Sequence, residues 1–237
     1  MAKGNGGFGG FNALADREAP AQELSAAHYN LLIGTALAWG FFLNYLLAKY
    51  VGPIIMNMIY TAPERYSAFM IGTLVGYFVL VLAGNFMLRT HEPVASFIGY
   101  NLIALPVGIV VTLATLGYDP TLVTRAALMT AIVTLCMMIA STLFPAGFAR
   151  MGSGLGIALL AVVIVELAGV FIFRMGFVML DFVVVGIMCL YIGFDWVRAN
   201  AVPRTIGNAF AISASLYLDI INIFLRLLRI ISRSRRN

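Results

Sequence analysis

Read for polar and apolar positions alone, the chain is a succession of long apolar runs separated by short polar ones. Runs of about 18 or more mostly apolar residues, long enough to cross a bilayer core as a helix, fall near 29–50, 67–89, 94–116, 122–144, 154–174, 177–199 and 206–230. The breaks between them carry turn chemistry: Gly52 and Pro53, Pro63 with Glu64 and Arg65, Arg89 to Pro93, Gly117 to Pro120, Pro145 to Gly154, Arg174 to Gly176, and Pro203 to Gly207. Connections this short make consecutive helices antiparallel neighbours. The pattern predicts an all-α, polytopic membrane bundle of seven transmembrane helices over residues 29–231, with a flexible, Gly-rich polar tail before it (1–28) and a basic tail after it (232–237). The first tail is too weakly apolar for a secretory signal.

Composition sharpens this. Hydrophobic residues make up 62% of the chain and charged ones 11%, and the mean hydropathy is +0.96; no soluble core needs so much apolar surface. The net charge of +5 is scattered over loops and tail rather than laid on one face, which argues for anionic lipid headgroups and against nucleic acid. Cys136 and Cys189 lie in apolar runs without C-x-x-C spacing and read as small packing residues. His28 and His91 sit at segment edges, where capping or interfacial roles are expected. No dinucleotide, Walker or H-E-x-x-H motif is present. The expectation is no cofactor, no metal centre and no enzymatic activity. Gly72 with Gly76, and Gly152, Gly154 and Gly156, suit close helix approach in lipid and carry no functional reading. Membrane orientation stays open: the loop charges weakly favour the amino terminus inside, whereas the Arg226, Arg229, Arg233, Arg235 and Arg236 cluster opposes it.

The candidate chemistry is acidic. Asp195 in GIMCLYIGFDWVRAN and Asp219 in FAISASLYLDIINIFLRLLRI lie inside the last two apolar runs, where an ionisable side chain is costly and marks a functional site by default. Folded as an antiparallel hairpin about Gly207, each arm is about twelve residues, or roughly 18 Å, and the two carboxylates come level. A pair so placed shares a proton and titrates as one coupled unit. Helix parity puts Arg89, closing the second segment in GNFMLRTHEP, at the same membrane face. A guanidinium there can latch the helices, and protonation of the pair weakens the latch. The plainer alternative is that the aspartates cap helices, pair with Arg198 or Arg226, or hydrogen-bond Ser215 and Asn222 as interhelical glue. Glu166 in ALLAVVIVELAG and Asp181 are candidate accessory groups, Glu166 deep and without an assignable partner, Asp181 near a loop. Asp119, Glu64 and Glu92 belong to turns and loops.

The segments LYIGFDWVRAN and ASLYLDIINIFLRLLRI resemble the carboxy-terminal signature of the Bax inhibitor-1 family, the transmembrane Bax-inhibitor-motif proteins, in its bacterial form. The resemblance is strongest over 120–231, weaker over 30–116 and absent from the Gly-rich start. It implies six helices around a central seventh, a pH-sensitive passive calcium leak, a link to stress responses, the paired aspartates at Asp195 and Asp219, and the second-helix arginine at Arg89. Two departures bear on ion selectivity: Glu166 has no assignable partner, and IGTLVGYFVLVLAG lacks an acid that some relatives carry. The expected function is therefore a calcium leak channel in the cell's inner membrane, crossing it several times. A rival from another class is a regulatory protein docking on a partner such as a membrane quality-control protease. An intramembrane aspartyl protease fits poorly, because Asp219 sits in LYLD rather than G-x-G-D and lies one hairpin from Asp195.

Overall fold

The computed structural model describes residues 23–172 and 178–235. The expected amino-terminal tail up to residue 22, together with Arg174, Gly176, Arg236 and Asn237, lies outside the described residues. Among the described residues there are eight helices and no strand: α1 (Ala26–Thr61), α2 (Pro63–Leu88), α3 (Pro93–Thr115), α4 (Pro120–Leu143), α5 (Pro145–Ala149), α6 (Gly152–Phe171), α7 (Val178–Ala201) and α8 (Ile206–Ser234). All but α5 are long and apolar enough to cross a membrane, so seven spans stand as the periodicity implied.

The helix starts follow from local chemistry. Proline opens α2, α3, α4 and α5, where its missing N–H has no helical partner to lose. Ser25, Asp119 and Thr205 cap α1, α4 and α8, accepting from the backbone N–H of His28 (3.3 Å), Thr121 (2.8 Å) and Asn208 (3.2 Å). One expected break is absent. Gly52 and Pro53 lie inside α1, which continues to Thr61. A broken helix at membrane depth leaves backbone groups without partners, so the helix absorbs the proline. Gly52 serves packing instead: a Cβ there would rest on Leu116 at 3.5 Å and Thr112 at 3.6 Å. The final helix also runs through Ser234, so the expected basic tail begins as helix at 232–234.

The core is built around α8. One buried cluster joins Tyr29 and Ile33 of α1, Ile192 of α7 and Leu216 of α8. The other joins Tyr100 and Ile103 of α3, Ala126 of α4 and Tyr217 of α8. The last helix thus packs on α7, α3, α1 and α4, with a smaller contact to α2. By contrast α2 buries only Gly84 and Leu88 and turns Ile71, Leu74, Phe78, Leu82 and Phe86 outward, as a lipid-facing helix does. It is fastened to α3 where Gly84 meets Gly99: a Cβ on either would come within 2.7 Å of the other's carbonyl oxygen. Gly72 and Gly76, by comparison, have no neighbour within 4 Å.

Candidate functional site

The α7–α8 hairpin carries both aspartates. Its turn is 202–205, closed by Thr205 as cap and by Asn208 Nδ2 donating to the Pro203 carbonyl at 2.8 Å. Gly207 is therefore in the first turn of α8 and not the hairpin midpoint. Asp195 lies six residues before the end of α7 and Asp219 thirteen after the start of α8, so at helical rise Asp219 is about 10 Å deeper. The expected level placement is corrected to a diagonal one. Each Cα–Cβ bond leans toward its own helix amino terminus; in an antiparallel pair the two carboxylates therefore lean toward each other along the axis. They remain charge neighbours, and both act on the Tyr191 phenol.

Their surroundings differ. Asp195 is 4% exposed and faces the Arg198 guanidinium at 3.9 Å and the Ser215 side chain. Asp219 is 9% exposed, and its Oδ2 is buried without a hydrogen-bond partner. Above the pair lies a cavity of about 280 Å³ lined by Asn85, Leu88, Arg89, His91, Arg198 and Ser215, among others. Arg89, the C-cap of α2, is exposed in this vestibule and takes part in none of the ion pairs of the described residues. Its position is set by the loop behind it. His91 adopts a left-handed backbone (φ 57°), and the His91 carbonyl sits where a Cβ on Gly207 would be. Only glycine at 207 lets the α2–α3 loop seat on the start of α8 this closely. A larger cavity of about 720 Å³, lined by Leu37, Phe41, Asn44, Val111, Thr130 and Phe224, has no carboxylate and no cation on its walls.

The family described as inhibitor of apoptosis-promoting Bax1 matches residues 28–237. The chain belongs to the Bax inhibitor family. Two Helicobacter pylori proteins, each described as uncharacterized, are similar along almost their whole length. The protein of strain J99 is 30% identical over 232 residues, covering 93% of this chain and 95% of its own. That of strain 26695 is 29% identical over the same coverage. No solved structure matches.

This Bax inhibitor family member carries a second charged constellation at the other end of the hairpin. Arg226 of α8 forms a two-pronged contact with Glu166 of α6, Nη1 to Oε1 and Nη2 to Oε2, the latter at 2.8 Å. The same guanidinium donates to Asp181 Oδ1 at 2.9 Å. Arg229 reaches Asp181 Oδ1 at 2.9 Å, and Arg233 reaches Oδ2 at 3.2 Å. Asp181, in the first turn of α7, is 1% exposed, so it is buried within the protein near that helix's start. Arg226, weighed at the sequence level as a partner for the aspartate pair, is engaged here instead. Glu166 thereby acquires the partner its sequence context did not suggest. The residues brought together are thus Asp195 with Asp219 at one end and Glu166 with Asp181 at the other; Arg89 stands over the first group. Among the described residues no three His, Cys, Asp or Glu side chains are grouped to hold a metal ion.

Proposed function

We propose that this protein is a pH-sensitive passive cation leak channel of the inner membrane, calcium being the expected ion, with Asp195 and Asp219 as its proton-sensing pair and Arg89 as its latch. The observation that carries the reading is Asp219 Oδ2, buried deep in the central helix with no hydrogen-bond partner, beside a second acid and beneath a polar vestibule. A structural carboxylate in a membrane protein is paired or hydrogen-bonded; one left without a donor is suited to exchanging a proton or meeting a passing cation. When the pair is ionised it draws the Arg89 guanidinium inward and holds α2 against the hairpin. Protonation removes that attraction, so the leak rises on acidification. No resident metal is needed, because a hard cation wants about six to eight oxygens and the pair with Ser215 supplies few.

Calcium efflux from liposomes holding the purified protein, followed across a pH series, tests this. Flux that increases as pH falls supports the channel. A folded protein that moves no ion at any pH, yet co-purifies with a membrane protease, favours the regulatory reading.

A further inference from the structure

On α8, Ser215, Asp219, Asn222, Arg226, Arg229 and Arg233 recur at spacings of three and four residues, which at 100° per residue confines them to an arc of about 80°. The opposite face carries Tyr217, Ile220, Phe224 and Leu228, all buried in the core. The polar stripe is mostly half-buried, with only Asp219 fully so. Polar groups at membrane depth line the bundle interior or a water-accessible path, and this stripe runs from the vestibule to the far membrane face. Asp195 and Asp181 on α7 are fourteen residues apart, about four turns, so they share one face of that helix. Between them α7 offers Met188 and Ile192, buried and apolar. The seam is therefore charged at both ends, with Asn222 on its α8 side and Met188 and Ile192 on its α7 side between them.

At the far end of the seam, Arg226 is held between two carboxylates. Arg226 has 15% of its side chain exposed, bridging Glu166 at 27% and Asp181 at 2%. Its contact with Glu166 also ties down α6, which otherwise leans chiefly on α7. We propose that Arg226 is a tethered cation that closes the exit of the polar seam, its guanidinium occupying the place between Glu166 and Asp181 that a permeant cation would have to cross. A fixed positive charge repels the permeant ion, while the fork of hydrogen bonds to two carboxylates on neighbouring helices keeps the path filled. Opening at the Asp195 end is then insufficient by itself; α6 must also release Glu166 from Arg226. The assignment rests on the channel reading for its physiological meaning, but the closure is a property of the structure that can be read without ion flow.

The test places Asn222→Cys in a Cys136→Ser, Cys189→Ser background and applies a membrane-impermeant thiol reagent from the Asp181 face of proteoliposomes. Asn222 lies one helical turn beyond Arg226, on the vestibule side. With the stopper in place, labelling is slow. Glu166→Gln keeps the side-chain shape and an acceptor but removes α6's charge from Arg226, which is then held by Asp181 alone, and Arg226→Gln removes the cation outright. Each should speed labelling by about tenfold or more through a larger open population. Each should also raise calcium leak at every pH while leaving the pH midpoint where Asp195 and Asp219 set it. Fast labelling of the parent, or unchanged labelling in the folded Glu166→Gln protein, overturns the assignment. Faster labelling in a protein that passes no ion leaves the stopper standing and removes the channel.

Discussion

The two ends of the α7–α8 hairpin use the same residue types to opposite effect. At one end Asp181 receives three guanidinium groups and Glu166 receives a two-pronged contact. At the other, Asp219 leaves a buried oxygen without a partner, and Asp195 has one arginine at 3.9 Å. Both sites are embedded among apolar side chains, so burial alone does not separate them. Compensation does. A buried acid surrounded by donors holds helices together, and removing it leaves positive charges without a counter-ion. A buried acid without donors contributes little to holding the fold, which leaves it available to change charge.

The largest expected effect comes from the compensated end. Asp181→Asn should destabilise the protein by about 2–4 kcal/mol, the lower part of that range reflecting half-exposed Arg229 and Arg233. Asp219→Asn should change stability by less than about 1 kcal/mol. Denaturant unfolding in detergent micelles compares the two directly, and equal losses would abolish the contrast. Next in size, Asp195→Asn and Asp219→Asn should flatten the pH dependence of calcium flux, and the double variant should resemble either single one, because a coupled pair is not additive. Normal pH-dependent flux in the double variant removes the sensor. Arg89→Ala should then raise the basal leak several-fold and weaken its pH response, with Arg89→Lys recovering only part, since an ammonium lacks the planar fork. Identical flux curves for both variants take Arg89 out of the mechanism. The smallest effect belongs to Asp119, outside the spans. Its carboxyl is held below the usual aspartate range by the backbone N–H of Thr121, then by the Thr121 hydroxyl and by Arg235. A lowered value in the folded state contributes stability above the unfolded value near about 4 and loses it as pH falls. Asp119→Asn should therefore lower the melting temperature slightly at neutral pH, with variant and parent converging as pH falls below about 4.

The spans were legible because roughly twenty apolar residues in a row have few other uses. Their ends were legible where proline stands at the first helical position, as at Pro63, Pro93 and Pro120. The same rule misread Pro53, since in lipid an unbroken helix satisfies more backbone than a turn does. The short α5 left no periodic pattern to find. Among the charged groups, Asp195 and Asp219 stood out as acids in apolar runs, but their depths were misjudged: the turn was centred on Gly207, whose actual service is to admit the His91 carbonyl. The Glu166–Arg226 contact spans 60 positions, beyond any local pattern. The spacing of Asp219, Asn222, Arg226, Arg229 and Arg233 along one face was the available clue.

The tie between Glu166 and Arg226 also bears on how the protein is made. The chain emerges in order, so α6 and α7 enter the bilayer carrying Glu166 and Asp181 before any of their arginine partners has been synthesised. An acid in a membrane span disfavours insertion, by about 2.5–3.5 kcal/mol at a helix centre and by less for Asp181 in the first turn of α7 and Glu166 five residues from the end of α6. The last helix supplies the counter-charges, and with them the reason for the two before it to stay. Nascent chains ending before residue 226 therefore carry Glu166 and Asp181 without the Arg226 counter-charge, and completion of α8 supplies it.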